Sequence, residues 1–408
     1  MRFKIRLTAT LLMLSFFMVI AAAPMPAAAG VPAITGEAAV LMDFSNGQLL
    51  YAKNPDQRMY PASTTKIITA IIALESGRIN DMVTVPLEAS IVEGSAIGLQ
   101  DGERISLGDL IYGLMLNSGN DCAIAIACHL GGSVDGFVRL MNKKAAEIGA
   151  ANTHFNNPNG LPEPSHYSTA RDMALIAGYA MRNPDFREIV ATKIQTIERN
   201  DPEAQVFLSN SNRMLWNYDG AVGVKTGYTE EAGQCLVTEA VRDGRELISV
   251  VMKSEGLNIW SDSAALLDYG FMNFKTVTLS EAGELAGDVP VIYGKSDKAP
   301  VITAETLKYN FPLDSQAAVT SKAELHMLKA PAGAGSKAGE LVFFAAGQEL
   351  GRVDLLLQDD VIRKITTQWW FWLLILIVAV FVVFLYLCYM DIRRRRLILR
   401  SRRKYYYY

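Results

Sequence analysis

Cysteine and histidine are scarce in this 408-residue chain, four of each. Cys122, Cys128, Cys235 and Cys388 show no metal-ligand spacing, and His129, His154, His166 and His326 are scattered, so no zinc centre and no cofactor is expected. A basic body is also missing. Arg2, Lys4 and Arg6 open the chain and eight Lys and Arg against Asp391 close it, so the net charge of −3 conceals a middle carrying about −13. Nucleic acid is therefore not expected as a partner. The third absence is of charge altogether, from Ile365 to Met390. About 25 such residues at 1.5 Å each are enough to cross about 30 Å of hydrocarbon.

Residues 365–390 are accordingly expected to form one transmembrane helix. Trp369, Trp370 and Trp372 mark one interface, Tyr386 and Tyr389 the other. Arg393, Arg394, Arg395 and Arg396 follow, and basic flanks stay in the cytoplasm, so residues 391–408 read as a cytoplasmic tail and everything before Ile365 as extracytoplasmic. Residues 1–29 agree. A basic start, an apolar stretch from Leu7 to Ala23 and Ala27-Ala28-Ala29 before Gly30 form a signal peptide, cleaved after Ala29 or near Ala23. The alternative, an uncleaved anchor, would need a longer apolar run. Cys388 falls in the span; the other three cysteines are small buried side chains or, in an exported chain, partners in a disulfide.

Between these ends the pattern is mixed. Residues 38–43 and 48–52 read as alternating strands around Ser45-Asn46-Gly47, a hairpin signal because Asn-Gly tolerates positive φ. Residues 234–241 and 246–252 flank a second turn, Asp243-Gly244. Helical periodicity occupies 63–74, 106–116, 122–130, 134–149 and 169–181. Strands at both ends with helices between them predict an α+β domain over residues 30–275, its terminal strands sharing one antiparallel sheet. Short β-like runs at 289–293, 307–311, 341–345 and 353–357, punctuated by Pro300 and Pro312, predict a small all-β domain over residues 276–362.

Three short motifs carry the chemistry: Ser63-Thr64-Thr65-Lys66, Ser118-Gly119-Asn120 and Lys225-Thr226-Gly227. Each is weak alone. Ser401-Arg402-Arg403-Lys404 repeats the first in a basic tail where no catalysis is plausible, and Ser118-Gly119-Asn120 by itself would be a turn capping the next helix. In that order and at wide spacing they form the S-x-x-K, S-x-N and K-T-G set of active-site serine enzymes. Residues three apart on a helix share a face, so Ser63 and Lys66 can touch. Lys66 can take the serine proton only if desolvation or a nearby charge, for which Lys225 is a candidate, lowers its pKa. Residues 222–225 read as a strand, and Gly227 removes a side chain where a peptide could pair with the edge.

With these motifs, Phe155-Asn156-Asn157-Pro158-Asn159-Gly160-Leu161, His166-Tyr167-Ser168-Thr169-Ala170 and Asp268-Tyr269-Gly270-Phe271, the chain resembles the low-molecular-mass penicillin-binding proteins that are serine-type D-alanyl-D-alanine carboxypeptidases, from about Ala38 to Gly351. The resemblance implies a β-lactamase/transpeptidase-like catalytic domain, a β domain acting as stalk, removal of the terminal D-alanine from peptidoglycan pentapeptide stems, and acylation by β-lactams. It implies Ser63 as nucleophile, Lys66 as base and Ser118 as proton relay. Asn120 would hold the substrate backbone, Lys225 and Thr226 its carboxylate, and the N–H groups of Ser63 and Tyr228 the oxyanion. His166 reads as a structural tie. A class A β-lactamase is disfavoured because the loop from Asn157 to Ser165 holds only Glu163-Pro164-Ser165 in place of an E-x-x-L-N motif. A transpeptidase or endopeptidase on the same scaffold stays open, and a non-catalytic wall scaffold would require a missing motif residue.

Overall fold

The computed structural model describes residues 30–199, 204 and 206–404. The expected signal peptide and the last four residues of the expected tail lie outside the described residues. The chain divides into two compact units, Met1–Thr276 with Asn310–Asp314, and Val277–Tyr309 with Ser315–Tyr408.

In the first unit, strands β1 (Ala38–Asp43), β2 (Leu49–Lys53), β3 (Ala221–Thr229), β4 (Gly233–Arg242) and β5 (Arg245–Ser254) form one sheet in the order β2-β1-β5-β4-β3. Every pairing is antiparallel. The β4–β5 turn takes positive φ at both Asp243 (51°) and Gly244 (74°), as a two-residue hairpin with the sheet's own twist requires. Two segments separated by most of the unit thus meet in one sheet, with Val40 opposite Val250.

Helices α1 (Lys66–Glu75), α2 (Leu107–Leu116), α3 (Asn120–Gly131), α4 (Val134–Ile148), α5 (Ala170–Met181) and α6 (Pro184–Ala191) share one apolar core with one face of the sheet, including Ala38, Val40 and Met42. Their starts follow capping chemistry. Ser106 and Thr169, read from sequence as the first helical residues, are N-caps whose side chains accept from the N–H of Asp109 and Asp172.

The alternation expected in β1 is not found: all six of its residues are buried. The reason is α7 (Asn258–Asn273), which the sequence reading lacked, as it did α6. Ile259, Leu266 and Leu267 of α7 pack on Ala39 and Leu41, the face that would otherwise meet water. Gly270 permits the approach, since a Cβ there would stand 2.5 Å from a Leu41 methyl.

The second unit is a six-stranded sheet in the spatial order Val319–Leu325, Lys337–Ala345, Gln348–Leu357, Lys298–Thr303, Leu285–Ile292, Leu328–Lys329. Its small core includes Val289, Val301, Ala338 and Leu355. Of the four expected runs, 307–311, 341–345 and 353–357 lie within strands and 289–293 ends one residue past Leu285–Ile292, while Val319–Leu325 was not among them and is exposed along its whole length. The final helix, α8 (Trp369–Lys404), does not stop at Met390 but continues through the arginines expected to form a tail. It is the one described helix long and apolar enough to cross a membrane.

Candidate active site

The three motifs meet at a cavity of about 390 Å³ in the first unit, lined by Ser63, Ser118, Thr226, Gly227 and Tyr228 with Ser95, Ser211, Arg213 and Trp260. Ser63 lies in the single 3₁₀ turn Ala62–Thr65 that leads directly into α1. Ala62, just before it, holds a φ of +47°. A non-glycine residue in that region costs about 1–3 kcal/mol and persists where the surroundings over-determine it. Gly160 is part of that constraint: its φ is +88°, and a Cβ there would fall 1.9 Å from the Ala62 carbonyl oxygen.

Lys66, one turn on, is fully buried. Its Nζ donates to Ser63 Oγ (2.8 Å), Asn120 Oδ1 (2.8 Å) and the Asn159 carbonyl (2.7 Å). The Asn120 amide cannot be turned round, because its Nδ2 donates to the Glu93 carbonyl (2.6 Å). Two fixed acceptors therefore claim two Nζ protons, and in a neutral amine the remaining lone pair points to Ser63. Burial, and then the charge of Lys225, hold the Lys66 pKa well below its ordinary 10.5.

Ser118 is half-buried on the cavity wall with a φ of +61°, and Asn120 begins α3 instead of lying in the loop expected between two helices. Its N–H donates to the Ser95 carbonyl (2.7 Å), so the segment carrying Glu93 and Ser95 forms another wall.

β3 is an edge strand, free to pair with an extended peptide. A Cβ on Gly227 would stand 2.9 Å from Ser63 N and 3.1 Å from Thr64 N, so glycine brings the strand backbone against the nucleophile's amide. Thr226 Oγ1 and Ser211 Oγ share a hydrogen bond of 2.8 Å. Tyr228 is exposed at the rim. Lys225 is buried, donates from Nζ to the Thr226 carbonyl (3.1 Å), and its pKa is pushed down to about 7 by burial. It does not line the cavity; Arg213, exposed, does.

His166 sits behind the site. Asn156 N–H donates to Nδ1 (3.1 Å), which leaves the Nε2 proton for Thr65 Oγ1 (2.9 Å). Burial lowers its pKa to about 4, so the ring stays neutral and ties the 156–160 loop to the nucleophile's turn. All four cysteines are free. Sequence reasoning missed Arg213, Ser211, Ser95 and the Asn159 carbonyl. Asn210-Ser211-Asn212 is held in part by local side-chain bonds: Asn210 Oδ1 accepts from Asn212 N and Asn212 Oδ1 from Met214 N. A carbonyl acceptor leaves no residue-type signal at all.

The family described as D-alanyl-D-alanine carboxypeptidase matches residues 25–256, and the C-terminal domain of penicillin-binding protein 5 matches residues 274–363. The chain is 36% identical over 346 residues to D-alanyl-D-alanine carboxypeptidase DacA of Haemophilus influenzae, covering 81% of this chain and 86% of that protein. It is 33% identical to D-alanyl-D-alanine carboxypeptidase DacF of Bacillus subtilis, over 80% of this chain and 85% of that one. Among solved structures, penicillin-binding protein 5 from Haemophilus influenzae superposes with a TM-score of 0.73 at 34% identity, covering 82% of this chain and all of that chain. The Streptomyces K15 DD-transpeptidase gives 0.57 at 35%, over 60% of this chain and 99% of its own.

Proposed function

The chain belongs to the D-alanyl-D-alanine carboxypeptidase family and is a serine carboxypeptidase of the penicillin-binding kind; from that premise we propose a residue-level mechanism acting on peptidoglycan pentapeptide stems. Ser63 attacks the carbonyl of the penultimate D-alanine while neutral Lys66 takes its proton. The developing oxyanion is held by the N–H groups of Ser63 and Tyr228. Ser118 passes a proton to the leaving amine and recovers one from protonated Lys66, the C–N bond breaks, and D-alanine departs. Water then hydrolyses the ester, and a β-lactam enters by the same attack. Asn120 serves twice, orienting Lys66 and facing the substrate backbone.

The terminal carboxylate is received by Thr226 and the Arg213 guanidinium, with Lys225 acting from beneath as a second influence, after burial, that favours neutral Lys66. One contact carries the reading: the 2.8 Å approach of a fully buried Lys66 Nζ to Ser63 Oγ. The protein works with both units outside the cytoplasmic membrane and the arginine-rich end of α8 inside, because Lys and Arg cluster after Met390.

A fluorescent penicillin added to the full chain should label Ser63, and a pentapeptide should lose D-alanine. Labelling that survives Ser63→Ala, or an adduct mapped to Ser118, would sink the assignment. Protease outside intact cells should remove the body and spare the basic end; the opposite pattern overturns the orientation.

A further inference from the structure

The end of the β unit next to α8 carries groups the reaction does not use. Residues 361–364, which lead into the helix, are stitched into that unit. Lys295 N donates to the Ile362 carbonyl (2.9 Å), Lys364 N to the Tyr293 carbonyl (2.8 Å) and Val361 N to the Ala332 carbonyl (2.8 Å). Arg363 Nη2 donates onward to the Thr367 carbonyl (2.8 Å), fixing the junction. The five residue steps from Lys364 to Trp369 span at most about 17 Å. The loop 292–298 is therefore held beside the point where the apolar helix begins.

This end is both apolar and basic. Ile292, Tyr293, Ile362 and Ile365 are 40%, 45%, 67% and 56% exposed, a concentration of greasy surface with no use in water. The Tyr293 ring lies near two cations, with Lys329 Nζ 5.6 Å and the Arg363 guanidinium 5.5 Å from its centroid. Lys295 and Lys298 line a recess of about 410 Å³ together with Asp359, Asp360 and Ile362. With Lys364 the cations outnumber the local carboxylates Asp297, Asp359 and Asp360, and Asp360 Oδ1 already accepts from Ala334 N (2.8 Å). Aromatic and aliphatic tips ringed by Lys and Arg, continuous with a membrane-spanning helix, are the composition of a surface that sits at a headgroup layer.

We propose that this face, the loop 292–298 with residues 361–365, rests on the outer leaflet and binds anionic phospholipid headgroups. The proposal rests on the reading of α8 as a membrane span with the β unit outside. Ile292, Ile362 and Ile365 enter the headgroup region, and Lys295, Lys298 and Lys329 meet lipid phosphates. The β unit then has a fixed attitude on the bilayer and does not swing on its tether.

The test uses the full chain with Cys128→Ser and Cys388→Ser, spin-labelled through Ser296→Cys and reconstituted in vesicles of phosphatidylglycerol or of phosphatidylcholine. Collision of the label with a water-soluble nickel chelate should be at least about 5-fold lower in the anionic lipid, the factor one cation contributes near such a surface. The combined Lys295→Glu, Lys298→Glu and Lys329→Glu variant should lose the difference while still labelling with penicillin, and Ile362→Asp should weaken it. Equal collision rates in the two lipids, or a triple variant that behaves as the parent, overturn the proposal. Vesicle flotation separates the premise: a chain that does not float overturns both readings, and one that floats with a label equally exposed in both lipids overturns this one alone.

Discussion

Among the described residues, the two units treat charge in opposite ways. The first buries Asp43, Lys66, Asp121, His166, Asp172, Lys225, Glu239 and Asp262; the second buries no ionisable side chain, only Ser280 and Thr303 among polar residues. Its charges stay on the strand surface in pairs such as Lys337 with Glu340 and Asp354 (both 2.7 Å) and Arg352 with Glu340 (2.8 Å). A buried charge is costly unless partnered, so a fold keeps one where nothing cheaper does the work. The first unit uses that cost to lower two lysine pKa values; the second, built to hold position, has no reason to bear it.

Lys66→Arg breaks this contrast most directly, keeping the charge and removing the titration. Penicillin acylation should fall by at least about 100-fold, the low end of what a general base contributes. In the parent it should rise with pH through a pKa below 10.5, because only the neutral amine accepts the serine proton. An arginine variant acylating near the parental rate would make Lys66 an electrostatic support. Gly227→Ala should cost about 100-fold in acylation by pushing β3 off the Ser63 amide, a displacement near 1 Å; a smaller loss would mean that the turn yields.

Arg213→Ala and Lys225→Ala sharpen the division of labour within the first unit. Arg213→Ala should lower kcat/KM for a free pentapeptide roughly 10- to 150-fold, about 1.5–3 kcal/mol, and spare a C-terminally amidated one. Lys225→Ala should damage both substrates equally and move the pH profile of acylation upward. Selective loss with Lys225→Ala would return the carboxylate to that lysine.

Stability offers a gentler probe. Lys225 has a folded pKa of about 7 against an ordinary 10.5, so between those values the unfolded chain binds more protons and stability rises with pH. Lys225→Met should raise the thermal midpoint at neutral pH and flatten that rise; an unchanged slope would remove Lys225 as its cause. The smallest effect is expected in the second unit. Arg352→Ala, at an exposed pair, should leave both the midpoint and the acylation rate within error.

Much was legible in the chain because it depends on neighbours in sequence. The uncharged run ending in arginines, the Asp243-Gly244 turn, the helices begun by Ser106 and Thr169, and the three-residue spacing that lets Ser63 meet Lys66 all follow from local geometry and composition. Helix α7 was not legible, since its apolar face has meaning only against the far side of β1. Nor was the carbonyl of Asn159, the φ of Ala62 or the choice of Arg213 over Lys225 at the cavity wall. The motifs state which groups are available. Whether a lysine loses its proton depends on desolvation and on a second lysine 159 positions away, and only the folded chain supplies both.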